Sequence, residues 1–156
     1  MTHDELKKYI FQFLKDSRPG RKFLIIGTDS TATSEKETVE NTKFVSVIVL
    51  RREGYGAFYF WCGRDHVPVY GRDDRLRLEG RYSTELAIYL EEILEEILET
   101  EPGVILPEFE VHLDISEQGK SRKIAKNLIG TIVAQGYMCF AKPNSYAAST
   151  VADHHC

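Results

Sequence analysis

Apolar positions recur along the chain in two periods, and the changes of period divide it into elements. Between Asp4 and Asp16, Leu6, Ile10, Phe13 and Leu14 fall at helical spacing. Ser17-Arg18-Pro19-Gly20 ends that pattern. A short apolar run over 22–28 has the composition of a buried central strand. Residues 30–42 are polar and predict an exposed loop. Strands over 43–52 and 55–61, joined at Glu53-Gly54, predict a hairpin. Residues 63–78 are charged, contain Gly63, Pro68 and Gly71, and predict a second loop.

A long helix is predicted from about Ser83, a candidate cap, to Thr100. Leu86, Leu90, Ile93, Leu94 and Ile97 form its apolar stripe. Pro102-Gly103 and Pro107 delimit a linker before a strand over 108–115. A helix over 120–134 and a strand over 137–141 follow, with Gly136 suited to the turn between them. Pro143-Asn144-Ser145 opens a last helix through Asp153. Antiparallel strands followed by β-α-β-α predict an α/β fold: a mixed five-stranded sheet with helices on both faces. An N-terminal helix and linker over 1–20 precede it.

Length and composition narrow the class. A chain of 156 residues fits one domain, 1–156. With 42% hydrophobic and 28% charged residues it is ordinary for a soluble globular protein. No apolar run approaches the roughly 20 residues of a membrane span, and the first residues lack a signal-peptide build. Cys62, Cys139 and Cys156 are odd in number and share no CxxC spacing, so neither a disulfide framework nor zinc is supported. Cytoplasmic residence is the expectation. The net charge of −4 argues against nucleic-acid binding by charge alone. Bound divalent cations would reverse that balance locally.

The candidate chemistry lies in four acids. Asp29 and Asp114 end apolar runs, while Glu85 and Asp153 lie in helical segments rich in small and apolar residues. A carboxylate near a core costs several kcal/mol, by rough estimate, unless it is paired or bound to metal. Strand-end acids on parallel neighbours would meet where ligands gather in such sheets. A carboxylate-lined metal site is therefore expected, the alternative being loop caps and first-turn dipole partners. Glu79 competes with Glu85. Six residues apart, the two cannot share a helix face, and Glu85 is preferred.

Other residues carry weaker signals. Lys120, Arg122, Lys123 and Lys126 could grip a phosphate backbone or form a solvated face. His154, His155 and Cys156 lack metal spacing with His112, and a solvated terminus accounts for them. Proton donation beside Asp153 is a second use for His154 or His155. His112 is expected to be a hydrogen-bonded core histidine. Tyr55, Phe58, Tyr59, Phe60 and Trp61 are expected to serve packing rather than base stacking.

The order of these motifs resembles the ribonuclease H-like superfamily. Gly27-Thr28-Asp29-Ser30 looks like its first-strand motif, Ser83-Thr84-Glu85-Leu86-Ala87 its helix Glu, His112-Leu113-Asp114-Ile115 its fourth strand, and Asn144 through Ala152-Asp153 its last helix. More narrowly, Gly119-Lys120-Ser121 and Pro143-Asn144-Ser145-Tyr146 are similar to the YkuK-type bacterial group. The resemblance implies a nuclease using two Mg²⁺ or Mn²⁺ ions, roughly 3.5–4 Å apart in such sites. Asp29 would bridge both ions, Glu85 and Asp114 complete one, and Asp153 the other. Ser30, Lys120, Ser121 and Asn144 become candidate substrate contacts, with RNA, DNA or a hybrid as partner. The alternative is a catalytically silent module of the same fold. The long insert carrying Arg64, Arg72, Arg75 and Arg77 departs from the family enzymes.

Overall fold

The computed structural model describes residues 1–34, 40–115, 122–141, 145, 147, 152 and 155. Five strands form one sheet: β1 (Lys22–Ser34), β2 (Glu40–Arg52), β3 (Gly56–Val69), β4 (Glu108–Leu113) and β5 (Met138–Phe140). Their spatial order is β3-β2-β1-β4-β5. The pairs β1–β2 and β2–β3 are antiparallel, and β1–β4 and β4–β5 are parallel. The mixed five-stranded α/β architecture expected from the pattern is present.

Strand alternation sorts the core into two layers. Leu24, Ile26, Ile48, Leu50, Val111 and Leu113 face the helices α1 (His3–Lys15), α2 (Arg72–Thr100) and α3 (Arg122–Ala134). Phe23, Ile25, Val45, Val47 and Val49 face the other way and meet Ala147 and Ala152 of the C-terminal segment. Alanines there let the segment lie close to the sheet. Among the described residues no helix is long and apolar enough to cross a membrane.

α1 starts in a reciprocal capping box between Thr2 and Glu5. Its end is held by Lys22, whose Nζ donates to the Leu14 and Asp16 carbonyls at 2.6 Å each. Gly20, at φ +115°, makes the tight entry to β1, where an added Cβ would strike the Glu53 carbonyl oxygen at 2.3 Å.

Three sequence boundaries are corrected. β1 continues six residues past Thr28 and β2 begins at Glu40, so only 35–39 of the expected 30–42 loop lie outside described structure. β3 runs through the expected 63–78 loop as far as Val69. α2 begins at Arg72, not Ser83. Gly80, inside this helix, is a contact point: an added Cβ would lie 2.8 Å from Leu128 Cδ2 of α3.

Ser83 is therefore an interior helical residue rather than a cap. Its hydroxyl donates to Thr28 Oγ1 at 2.9 Å, and Thr28 is 2.8 Å from Ser46 Oγ. One turn earlier, Ser30 donates to Glu79. Four helical residues rise about 6 Å and two strand residues about 6.6 Å. The two spacings match, so α2 is fixed against β1 by two polar rungs.

Candidate active site

The last parallel pair between β1 and β4 is Thr28 with Leu113. Asp29 and Asp114 follow directly on each strand, so their backbones stand level where β4 stops and β1 goes on. Asp29 is thus mid-strand rather than at a strand end. Alternation turns it toward the Phe23–Ile25 face, opposite Thr28 and Ser30. Asp29 is buried and Asp114 half-buried.

Glu79, not Glu85, is the helix acid that the structure brings to this pair. It lies two turns into α2, 5% exposed, and its Oε1 accepts from Ser30 Oγ at 2.5 Å. Burial pushes its carboxyl up to about 8, against the pull of the Ser30 hydrogen bond. Asp29 raises it further, Arg75 one turn earlier opposes, and Asp114 adds a smaller push. Asp29 and Asp114 thus both act on Glu79 electrostatically.

Glu85 turns elsewhere. Six helical residues rotate a side chain by about 240° relative to Glu79. Glu85 is exposed and pairs with Arg81 at 3.2 Å and Arg64 at 3.6 Å. The sequence held a clue to the placement of Glu79. Leu76, Gly80, Ser83, Ala87 and Leu90 continue the buried stripe of α2 back past Glu79.

The remaining candidates divide by location. Asp153, Lys120, Ser121, Asn144, His154 and Cys156 lie outside the described residues. Arg122, Lys123 and Lys126 are exposed at the start of α3. Ser30, a candidate substrate contact, has its hydroxyl on Glu79. Among the described residues no group of three or more His, Cys, Asp or Glu side chains is arranged to hold a metal ion. Asp29, Glu79 and Asp114 all offer carboxylate oxygens, the donor type that suits a hard divalent cation.

His112 fits its expected structural role. It is 1% exposed, and its Nδ1 accepts from the Ala147 amide at 3.2 Å. Its proton therefore sits on Nε2, 3.0 Å from Glu110 Oε2. Burial pushes its pKa down, which agrees with a neutral ring, while the Glu110 hydrogen bond opposes. His112 thereby anchors the C-terminal segment to β4 on the Asp29 side of the sheet. At the far end of that segment, His155 stacks on Trp61 at 4.6 Å.

A family model for ribonuclease H-like proteins matches residues 5–156. The uncharacterized protein YkuK of Bacillus subtilis (strain 168) is 29% identical over 164 aligned residues, covering 98% of this chain and 90% of that protein. No solved structure matches the chain.

Proposed function

The chain belongs to the ribonuclease H-like family, and from that premise we propose that it is a nuclease hydrolysing phosphodiester bonds with Mg²⁺ or Mn²⁺ held by Asp29, Glu79 and Asp114. One observation carries this reading. Asp29 and Asp114 stand level on neighbouring strands, and both raise the proton affinity of Glu79 on α2. Such crowding is relieved by a divalent cation. Bound there, two cations would activate water and stabilise the leaving oxygen.

The chain's own residues supply placement. Ser30 orients Glu79, and the rungs to β1 hold α2 at the level of Asp29. Asp153 is the proposed fourth ligand, since the preceding residue, Ala152, packs with Phe23 and Ile25 on the Asp29 face. Arg122, Lys123 and Lys126, with Lys120, Ser121 and Asn144, are proposed to meet the phosphate backbone.

The test compares three variants of EDTA-stripped protein by Mn²⁺ calorimetry and by cleavage of RNA, DNA and hybrid. Asp29→Asn and Glu79→Gln are expected to abolish binding and cleavage, while Glu85→Gln keeps both. Unchanged Mn²⁺ affinity in the first two would overturn the ligand assignment.

A further inference from the structure

Three described residues of the C-terminal segment, Ala147, Ala152 and His155, lie on the Asp29 face, and each is fastened there. The Ala147 amide donates to His112 on β4. Ala147 and Ala152 are fully buried among Phe23, Ile25, Val45, Val47 and Val49 of β1 and β2. His155 meets three side chains of β2 and β3. Its ring stacks on Trp61 at 4.6 Å and an interplanar angle of 13°. Its Nε2 lies 2.9 Å from Tyr59 Oη, and its carbonyl accepts from Lys43 Nζ at 2.8 Å.

Strand register places these three partners. Tyr59 pairs with Val49 and Trp61 with Val47, both in the layer that meets the C-terminal segment. Lys43 pairs with Thr31, two residues past Asp29. From strand spacing, the Lys43 backbone stands about 8 Å from that of Asp29, and the Trp61 backbone about 12 Å from it. The His155 ring is therefore held over β3, with one face and Nε2 engaged. Those contacts assign it to holding the segment rather than to proton transfer at the acids. Gly63 leaves room for the arrangement. A Cβ there would lie 3.7 Å from Lys43 Cε and 3.9 Å from the Trp61 ring, so a longer side chain would crowd both.

We propose that Lys43, Tyr59 and Trp61 are positioning residues of the carboxylate site: by clasping His155 they hold the C-terminal segment, and Asp153 with it, at the Asp29 face. The proposal rests on the nuclease reading, in which Asp153 is the fourth ligand. In sequence Asp153 falls between Ala152, which is buried on the sheet, and His155, which is clasped. The His155 amide also donates to the Ala152 carbonyl at 3.0 Å, so the two fixed points are joined directly. Ordering a ligand before a cation arrives removes that entropy loss from binding. Loss of such outer partners typically lowers metal affinity by about 10–100-fold. Lys43 gives the proposal a sign. As a charge alone it would repel a cation near Asp29, and its removal would tighten binding. As part of a clasp, its removal weakens binding.

The test uses the EDTA-stripped full chain. Hydrogen exchange without metal reads the clasp. In Lys43→Met/Trp61→Leu the His155 amide is expected to exchange faster while β1 and β2 amides stay protected. Mn²⁺ calorimetry reads the site, and the same variant is expected to bind about tenfold or more weakly. In an Asp153→Asn background the two substitutions are expected to add no further loss. His155→Ala, which leaves every strand residue intact, is expected to weaken binding in the same direction. Unchanged His155 exchange, unchanged or tighter Mn²⁺ binding in either variant, or an equal loss in the Asp153→Asn background each overturns the proposal. If Asp29→Asn abolishes Mn²⁺ binding but the clasp variants bind like wild type, the clasp alone fails. If the wild-type chain binds no Mn²⁺, the carboxylate reading fails and the clasp with it.

Discussion

Glu79 shows how one side chain can be set by the cost of its surroundings. Folded, it keeps its proton up to about pH 8, whereas its ordinary value is 4.5. The folded state thus binds this proton more tightly, and the associated stability is complete below pH 4.5. That stability is lost as pH rises through 8. EDTA-treated protein is expected to lose on the order of a few kcal/mol between pH 5 and pH 9, followed by thermal unfolding. Glu79→Gln should flatten the profile, and a wild-type curve already flat over that range would refute the assignment. Asp29 and Asp114 were legible in the sequence because an acid closing an apolar run is conspicuous. Glu79 stood out only as the rival of Glu85, because its neighbours Arg75, Arg77 and Arg81 give that stretch the look of solvated loop.

At the scale of the element, α2 was seen only in its C-terminal two-thirds. Leucine-rich periodicity marks the half over α1, but the half over β1 is built from Gly80, Ser83 and Ala87. Small residues bury little apolar area, so hydropathy alone passes over them. Their role is close approach and hydroxyl contact. Ser83→Ala should leave Thr28 with one partner fewer in a buried setting and cost about 1–2 kcal/mol in denaturant unfolding. An unchanged midpoint would mean the rung carries no stability. Gly20→Ala tests a different kind of contact, because backbone at Glu53 cannot step aside as a side chain can. Together with the left-handed φ, the added methyl should cost about 1–3 kcal/mol, measured the same way. The long reach of β1 and β3 was likewise hidden, since the outer half of β1 is polar in sequence and that of β3 is mostly exposed.

For the whole molecule, a mixed five-stranded sheet was readable from the succession of hairpin and crossovers, while its order β3-β2-β1-β4-β5 comes from the structure. It places a β1 acid beside the end of β4 without any further instruction. What succession cannot show is which face each side chain takes, and that decides the site. The helical layer supplies Glu79, and the opposite layer receives Asp29 and the C-terminal segment. His112 joins β4 to that segment through the Ala147 amide. His112→Ala should speed hydrogen exchange at Ala147 while β4 amides stay protected, and unaltered Ala147 exchange would show that the anchor lies elsewhere.

The paired rungs Ser83–Thr28 and Glu79–Ser30 carry one more implication, for how this chain tolerates change in length. Extra residues in the tip joining β1 to β2, or ahead of α2, leave both rungs in phase. A single residue added between positions 79 and 83 swings everything upstream on the helix through about 100°. The body of the protein would still assemble around its leucines, but Glu79 would be carried away from Ser30. Drift in sequence length is therefore free at the ends of these elements and forbidden across four residues in the middle of one.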